Sequence, residues 1–176
     1  MIRSAPRLET ERLILRDFVR DDLDALAATL GDIEVVRHLT GEPINREDSL
    51  RRLFMAVGQW PTIGLGMWAV ERKSDGRLVG HVGFFDMQRE MSPSIMDQPE
   101  MGWIFDTSVH GQGIAHEACV AALAWLDATH GPVEVPAIIG VDNVASLKLA
   151  EKLGFVREPD AVYKGEPIAL VRRPRP

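Results

Sequence analysis

Apolar residues recur along the chain with two periods, and the switches between those periods divide it into elements. Leu13, Ile14 and Leu15, held between Arg12 and Arg16, predict a first strand. After Asp21, a predicted N-cap, Leu23, Leu26, Ala27 and Leu30 fall at i, i+3, i+4 and i+7, one face of a helix that Gly31 closes. A second helix starts after Asn45, with Asp48 three residues on, and its predicted stripe is Leu50, Leu53, Phe54 and Val57, closed by Gly58. Met67–Arg72 and Arg77–Phe85 read as strands joined by the hairpin signal Ser74-Asp75-Gly76. An apolar strand over 101–106, a small-residue helix over 114–129 and a strand over 137–141 follow. A helix ending in Glu151-Lys152-Leu153-Gly154-Phe155 and strands near 155–157 and 162–172 finish the chain. The order β-α-α-β-β-β-α-β-α-β-β predicts an α/β (α+β) fold, one domain over 1–176, whose mixed sheet carries helices on both faces.

The sharpest chemical signal is Val109-His110-Gly111-Gln112-Gly113-Ile114-Ala115-His116-Glu117-Ala118, between the strand 101–106 and the helix after it. A strand, a glycine turn and a helix start bring unpaired N–H groups to one point, where the helix dipole favours negative charge. Glycines there let backbone approach a bulky anion. Two known phosphate cradles and one zinc-binding motif are excluded by spelling. No Lys follows either glycine as a P-loop requires, His116 stands where a dinucleotide fingerprint has a small residue, and Val120 replaces the second His of a metalloprotease helix. A tight turn without ligand is the alternative for this loop taken alone.

His110-Gly111-Gln112-Gly113-Ile114-Ala115 resembles the coenzyme A loop of the GNAT acetyltransferases, Gln/Arg-x-x-Gly-x-Gly/Ala, with His in the first place. Asp142-Asn143-Val144-Ala145-Ser146 and the Lys152-Leu153-Gly154-Phe155 ending are similar to that family's second signature, in its order and spacing. Leu8-Glu9-Thr10-Glu11-Arg12-Leu13-Ile14-Leu15-Arg16 resembles the first strand of the RimJ/RimL-type branch. The resemblance implies a GNAT fold, a mostly antiparallel sheet of about seven strands splayed between the fourth and fifth. It implies N-acetyl transfer from acetyl-CoA to a primary amine in a ternary complex; no metal is expected, since no combination of histidines, carboxylates and Cys119 has metal-ligand spacing.

By the same resemblance, Gly111, Gln112, Gly113, Ile114 and Ala115 cradle the pyrophosphate, with His110 and His116 beside it. Ile104 and Phe105 pair with the pantetheine arm from the fourth strand, and Asn143 holds it from the other side. Family members commonly use a tyrosine as general acid, but that position is Ala150 here and the sole tyrosine is Tyr163. Ser146 is the substitute, as donor to the leaving sulfur, with a first-turn hydroxyl bonded to backbone as its alternative. Glu100 matches the family's strand glutamate and is the expected base, directly or through water; an exposed strand-end carboxylate is the alternative. Glu117 reads as a first-turn carboxylate favoured by the dipole. The segment 31–45, a flexible Met-rich loop over 87–99, Trp60 and Trp68 are expected to line the acceptor pocket.

Composition limits the partners. The 176 residues are 45% hydrophobic with a net charge of −6, which argues against nucleic acid and could steer a cationic amine. No apolar run reaches the ~20 residues of a membrane span, and no signal-peptide core is present, so no membrane partner is expected. The single Cys119 fits a reducing cytoplasm and, on an apolar helix face, an inert core thiol. His38 and His81 carry no motif. The acceptor is left open between small-molecule amines and a peptide N-terminus, and the assembly between monomer and homodimer. Transfer of another acyl group such as succinyl, or acyl-CoA binding without catalysis, are the competing functions.

Overall fold

Leu13 and Leu15 are fully buried because β2 (Leu13–Arg16) lies between β1 (Leu8–Glu9) and β3 (Met67–Arg72), with Leu15 opposite Val70. The computed structural model describes residues 2–175. β3 pairs with β4 (Arg77–Phe85) through the turn at Gly76, and β4 with β5 (Glu100–Phe105), completing an antiparallel sheet in the order β1-β2-β3-β4-β5. A second antiparallel sheet is built on β9 (Glu166–Arg173). β6 (Val135–Gly140) pairs along one side of it, and β7 (Val156–Arg157) and β8 (Ala161–Tyr163) along the other. No ladder joins β5 to β6, so the sheets part at the place where the fourth and fifth long strands were expected to splay. Among the described residues the nine strands exceed the expected seven by the two-residue β1 and by β8.

Helices cover both faces. α1 (Leu23–Gly31), α2 (Ile33–Val36) and α3 (Arg46–Ile63) bury Leu23, Leu26, Leu30, Val36 and Leu53 against Phe18, Met67 and Ala69. On the opposite face α4 (Ile114–His130) sets Ala118, Cys119, Ala122 and Leu126 against Val79, Val82 and Phe84. The same cluster takes in Val135, Ala137 and Val171 of the second sheet. α4 thus spans the parting and holds the two sheets in one core. α5 (Val144–Lys152) packs beside it with Ala150 buried. Among the described residues no helix is long and apolar enough to cross a membrane.

Several local expectations change. Asp22, not Asp21, precedes α1, and its buried carboxylate accepts from Arg16 Nη1 and Nη2 at 2.8 and 2.9 Å and from Val19 N at 2.8 Å. Asn45 does cap α3, accepting from Asp48 N at 2.9 Å. The helix, however, runs through Gly58 and ends at Gly64, in the left-handed region. Its buried face is Ser49, Leu53, Ala56 and Trp60, and the expected stripe residue Phe54 is 59% exposed. Trp60 determines this rotation by packing edge-to-face on Trp68 and Trp125 at 4.7 and 5.6 Å between ring centroids. Both Trp60 and Trp68 are therefore core, not acceptor-pocket, residues. The expected strand 162–172 is broken into a hairpin at Lys164 (φ 51°) and Gly165 (φ 84°), the pair of positive φ values a tight primed turn requires.

Candidate functional site

The turn between β5 and α4 is built so that its side chains face away from its N–H groups. Asp106 accepts from Ser108 N at 2.9 Å, starting a single helical turn over Thr107–Val109. His110 Nε2 then bonds back to the Phe105 carbonyl at 3.0 Å, and Gln112 Nε2 donates to Ser108 O at 2.7 Å. Gly111 and Gly113 have φ of 73° and 76°, conformations in which a Cβ is strained. The first backbone bond of α4 runs from Glu117 N to Gly113 O at 3.0 Å. The N–H groups of Gly113, Ile114, Ala115 and His116 precede it and find no acceptor among the described residues, as at any uncapped helix start. Gly111 has nothing within 4 Å of where a Cβ would stand, so the space over this cradle is open. Such an arrangement fits a pyrophosphate through backbone alone. Ile114 contributes only its N–H, since its side chain is buried in the core, while His116 is exposed beside it.

The cradle opens on the parting of the sheets. Asp106 N donates to Val79 O at 2.9 Å, one step beyond the Gly80–Phe105 pair. Alternation along an antiparallel ladder then turns the backbone of Ile104 and Gly102 to β4, and that of Trp103 and Phe105 to the unpaired edge. Of the two residues expected to hydrogen-bond a pantetheine arm, Phe105 keeps that orientation, with its carbonyl already accepting from His110 Nε2. Ile104 has its backbone engaged by β4, and the open-edge groups belong to Trp103 in its place.

Across the gap, α5 begins at Asn143, whose Oδ1 accepts from Ser146 N at 3.1 Å. That oxygen is a helix cap, which leaves the amide Nδ2 as the group Asn143 could offer a ligand. Ser146 Oγ accepts from Trp103 Nε1 at 3.3 Å, linking α5 to β5 over the gap. A serine hydroxyl has one proton to donate, and the indole leaves it free. Ala150 is buried, one turn further on, with no group to substitute for a tyrosine.

Glu100 opens β5 but is not an exposed strand end: it is 3% exposed, and Arg89 Nε donates to it at 2.7 Å. Burial raises its pKa above the ordinary carboxylate value, and the Arg89 guanidinium works against that shift. Arg89 is itself stacked on Tyr163, 4.8 Å from the ring centroid, so β8 closes over the pair. The loop 87–99 is tied at its base, where Asp86 accepts from Gln88 N at 2.9 Å and Asp97 N at 3.0 Å. Side-chain alternation places Glu100 on the α1–α3 face of β5 and Trp103, with Ser146, on the α4–α5 face. The two expected catalytic groups thus lie on opposite faces of the open edge, with Trp103, the residue bonded to Ser146, about 10 Å along the strand from Glu100.

The remaining candidates are structural. Glu117 accepts from Thr10 Oγ1 at 2.5 Å, Arg12 N at 2.9 Å and Arg12 Nε at 2.6 Å. Cys119 is fully buried, and burial pushes its thiol far up. His81, against the Phe18 ring, is lowered to about 4 by burial and by Arg52, so it is neutral at physiological pH. Arg12, Arg89 and Trp103 were given no individual site role from the sequence, although Arg89 lies in the loop expected to line the acceptor pocket. Arg12 lies in the quoted amino-terminal signature, but nothing in the spacing of these residues says that they converge on the site.

A model of the acetyltransferase (GNAT) domain matches residues 12–156. The uncharacterized N-acetyltransferase YoaA of Bacillus subtilis is 29% identical over 156 residues, covering 87% of this chain and 84% of that protein. In three dimensions the chain is similar to a Bordetella pertussis protein described as of the GnaT acetyltransferase family, with a TM-score of 0.83 and 28% identity over 96% and 99% of the two chains. It is also similar to RimL, a ribosomal L7/L12 alpha-N-protein acetyltransferase solved in complex with coenzyme A. There the TM-score is 0.77 and the identity 16%, over 97% and 98% of the chains, a likeness of fold.

Proposed function

The chain belongs to the GNAT acetyltransferase family, and from that premise we propose that it moves the acetyl group of acetyl-CoA to a primary amine by direct attack in a ternary complex. The observation that carries this reading is the run of unpartnered N–H groups over Gly113–His116, set at the mouth of the gap between β5 and β6. Acetyl-CoA, the family's acyl donor, supplies an activated thioester carbonyl. The backbone N–H groups of the cradle neutralise the pyrophosphate, and the open edge at Trp103 and Phe105 offers hydrogen bonds to the pantetheine amides. Glu100 takes the proton of the attacking amine, directly or through water. Ser146, oriented by Trp103 Nε1, donates its hydroxyl proton to a hydrogen bond with the leaving sulfur. The acceptor is an amine small molecule or a peptide N-terminus, the latter being what RimL acetylates. The net charge of −6 favours cationic acceptors, and the lone buried thiol suits a cytoplasmic setting.

Titration calorimetry with coenzyme A, followed by thiol release from acetyl-CoA over an amine panel, tests the proposal. Binding and amine-dependent release are expected, with binding abolished in Gly113→Val, where a branched side chain is forced to positive φ against the cradle. Binding with no release for any amine would leave an acyl-CoA-binding module, and preferential release from succinyl-CoA would reassign the acyl group.

A further inference from the structure

The amino-terminal segment enters the cradle from the other end of the chain. Arg12 Nε donates to Glu117 Oε2 at 2.6 Å, and Arg12 Nη1 donates to the Gln112 carbonyl at 2.9 Å. Its Nη2 has no partner among the described residues and stands 3.5 Å from where a Cβ on Gly113 would be. Two facts make this arrangement more than a strut. The side chains that the loop itself could turn to an anion, His110 and Gln112, are both bonded to backbone carbonyls. The loop therefore brings N–H dipoles but no full positive charge. Glu117, one turn into α4, would place a negative charge beside a bound phosphate, and Arg12 offsets it while leaving guanidinium N–H groups over. A guanidinium is also suited to this geometry, because its donors lie in a fixed plane and can serve a carboxylate, a carbonyl and a phosphate together.

We propose that Arg12 is the cation that positions the coenzyme pyrophosphate: Nε and Nη1 brace the cradle through Glu117 and Gln112 O, and Nη2 is presented to the phosphate beside Gly113. It takes the part that the family's Gln/Arg position, His110 here, has given up by turning to Phe105. This inference rests on the proposed acetyl-CoA reaction, and the test separates the two.

Coenzyme A affinity is measured by calorimetry across a salt series for the parent, Arg12→Gln and Arg12→Lys. Transfer is measured in parallel from acetyl-CoA and from S-acetylpantetheine, which lacks the pyrophosphate. Arg12→Gln is expected to weaken coenzyme A binding about ten- to a hundredfold, the range for a charge-assisted hydrogen bond, and to flatten its salt dependence. It should raise KM for acetyl-CoA while transfer from S-acetylpantetheine stays near the parent. Arg12→Lys keeps the charge without the fork and should fall between, and it carries the test if Arg12→Gln does not fold. Unchanged affinity and salt slope in a folded variant overturn the proposal, as does an equal loss with both donors, the mark of a bracing role alone. If the parent binds coenzyme A but transfers to no amine, the reaction fails, and the affinities and salt slopes still decide the role of Arg12.

Discussion

At the scale of single residues, the charge of Glu100 is set by two opposed influences, and each can be removed separately. Burial raises its pKa, and Arg89 at 2.7 Å restrains that rise. A carboxylate base works when deprotonated, so activity should fall as pH drops through its pKa. Replacing Arg89 with Met removes the restraint and should move the acid limb of the kcat/KM profile to higher pH, whereas Glu100→Gln should abolish that limb and lower the rate about 10²–10⁴-fold. A limb that stays in place in both variants would assign the proton to another acceptor. Ser146 is subject to a different test. Its hydroxyl accepts from Trp103 and has its proton free, so Ser146→Ala should lower kcat by about ten- to a hundredfold with little change in KM for acetyl-CoA. The melting temperature measured alongside guards against a mere loss of helix stability, since Ser146 N is the group that Asn143 caps. Parental turnover in the stable variant would leave Ser146 as a packing residue. The motif positions were visible as residue types and spacings. The burial of Glu100 was not, because Arg89 comes from the loop after β4 and Tyr163 from β8, far along the chain.

At the scale of elements, α3 shows why an apolar pattern defines a helix better than its orientation. Leu50, Leu53, Phe54 and Val57 have acceptable helical spacing, yet the helix turns Ser49, Leu53, Ala56 and Trp60 inward. Alanine and serine fit under a neighbouring sheet, and the large gain comes from seating Trp60 on Trp68 and Trp125. Trp60→Ala should therefore cost about 3–5 kcal/mol, lowering Tm by more than about 6 °C. Phe54→Ser, at the most apolar position of the expected stripe, should change stability by less than about 0.5 kcal/mol. Chemical denaturation of the two variants compares them directly, and a larger loss for Phe54→Ser would contradict this orientation. Strand ends were similarly half legible. Ser74-Asp75-Gly76 announced its hairpin, while Lys164-Gly165 was read through, because valine, tyrosine and the apolar residues beyond it continue a strand pattern on both sides.

At the scale of the molecule, the chain closes on itself at Glu117, where the segment preceding β2 is bound to α4 across more than 100 positions of sequence. Burial by itself would raise the pKa of this carboxylate. The hydrogen bonds from Thr10 and Arg12 outweigh that effect and hold the pKa below the ordinary 4.5. A group depressed on folding adds stability above its unfolded value and loses it as pH falls through the folded one. The contribution of Glu117 is therefore complete above about pH 4.5 and disappears below it. Thermal unfolding of the parent and Glu117→Gln should show a difference in Tm at pH 6–7 that shrinks on acidification below pH 4. A difference constant with pH would mean that the link is steric and not ionic.

The place where the sheets part was expected only from the family resemblance; by itself, the sequence determined the order and type of the longer elements and the glycine turn that starts α4. Those features follow from local periodicity, from glycine at positive φ and from helix starts, all of which act within a few residues. Only the tertiary structure decided which face of α3 is buried, that Trp60 and Trp68 belong to the core, and that Trp103 and not Ile104 offers its backbone to the gap. It also decided that Arg89 meets Glu100 and that Arg12 reaches the cradle. Each of these depends on what a distant segment places opposite a residue. Burial, pairing parity and charge neutralisation are properties of that opposition, and chain spacing carries no record of it.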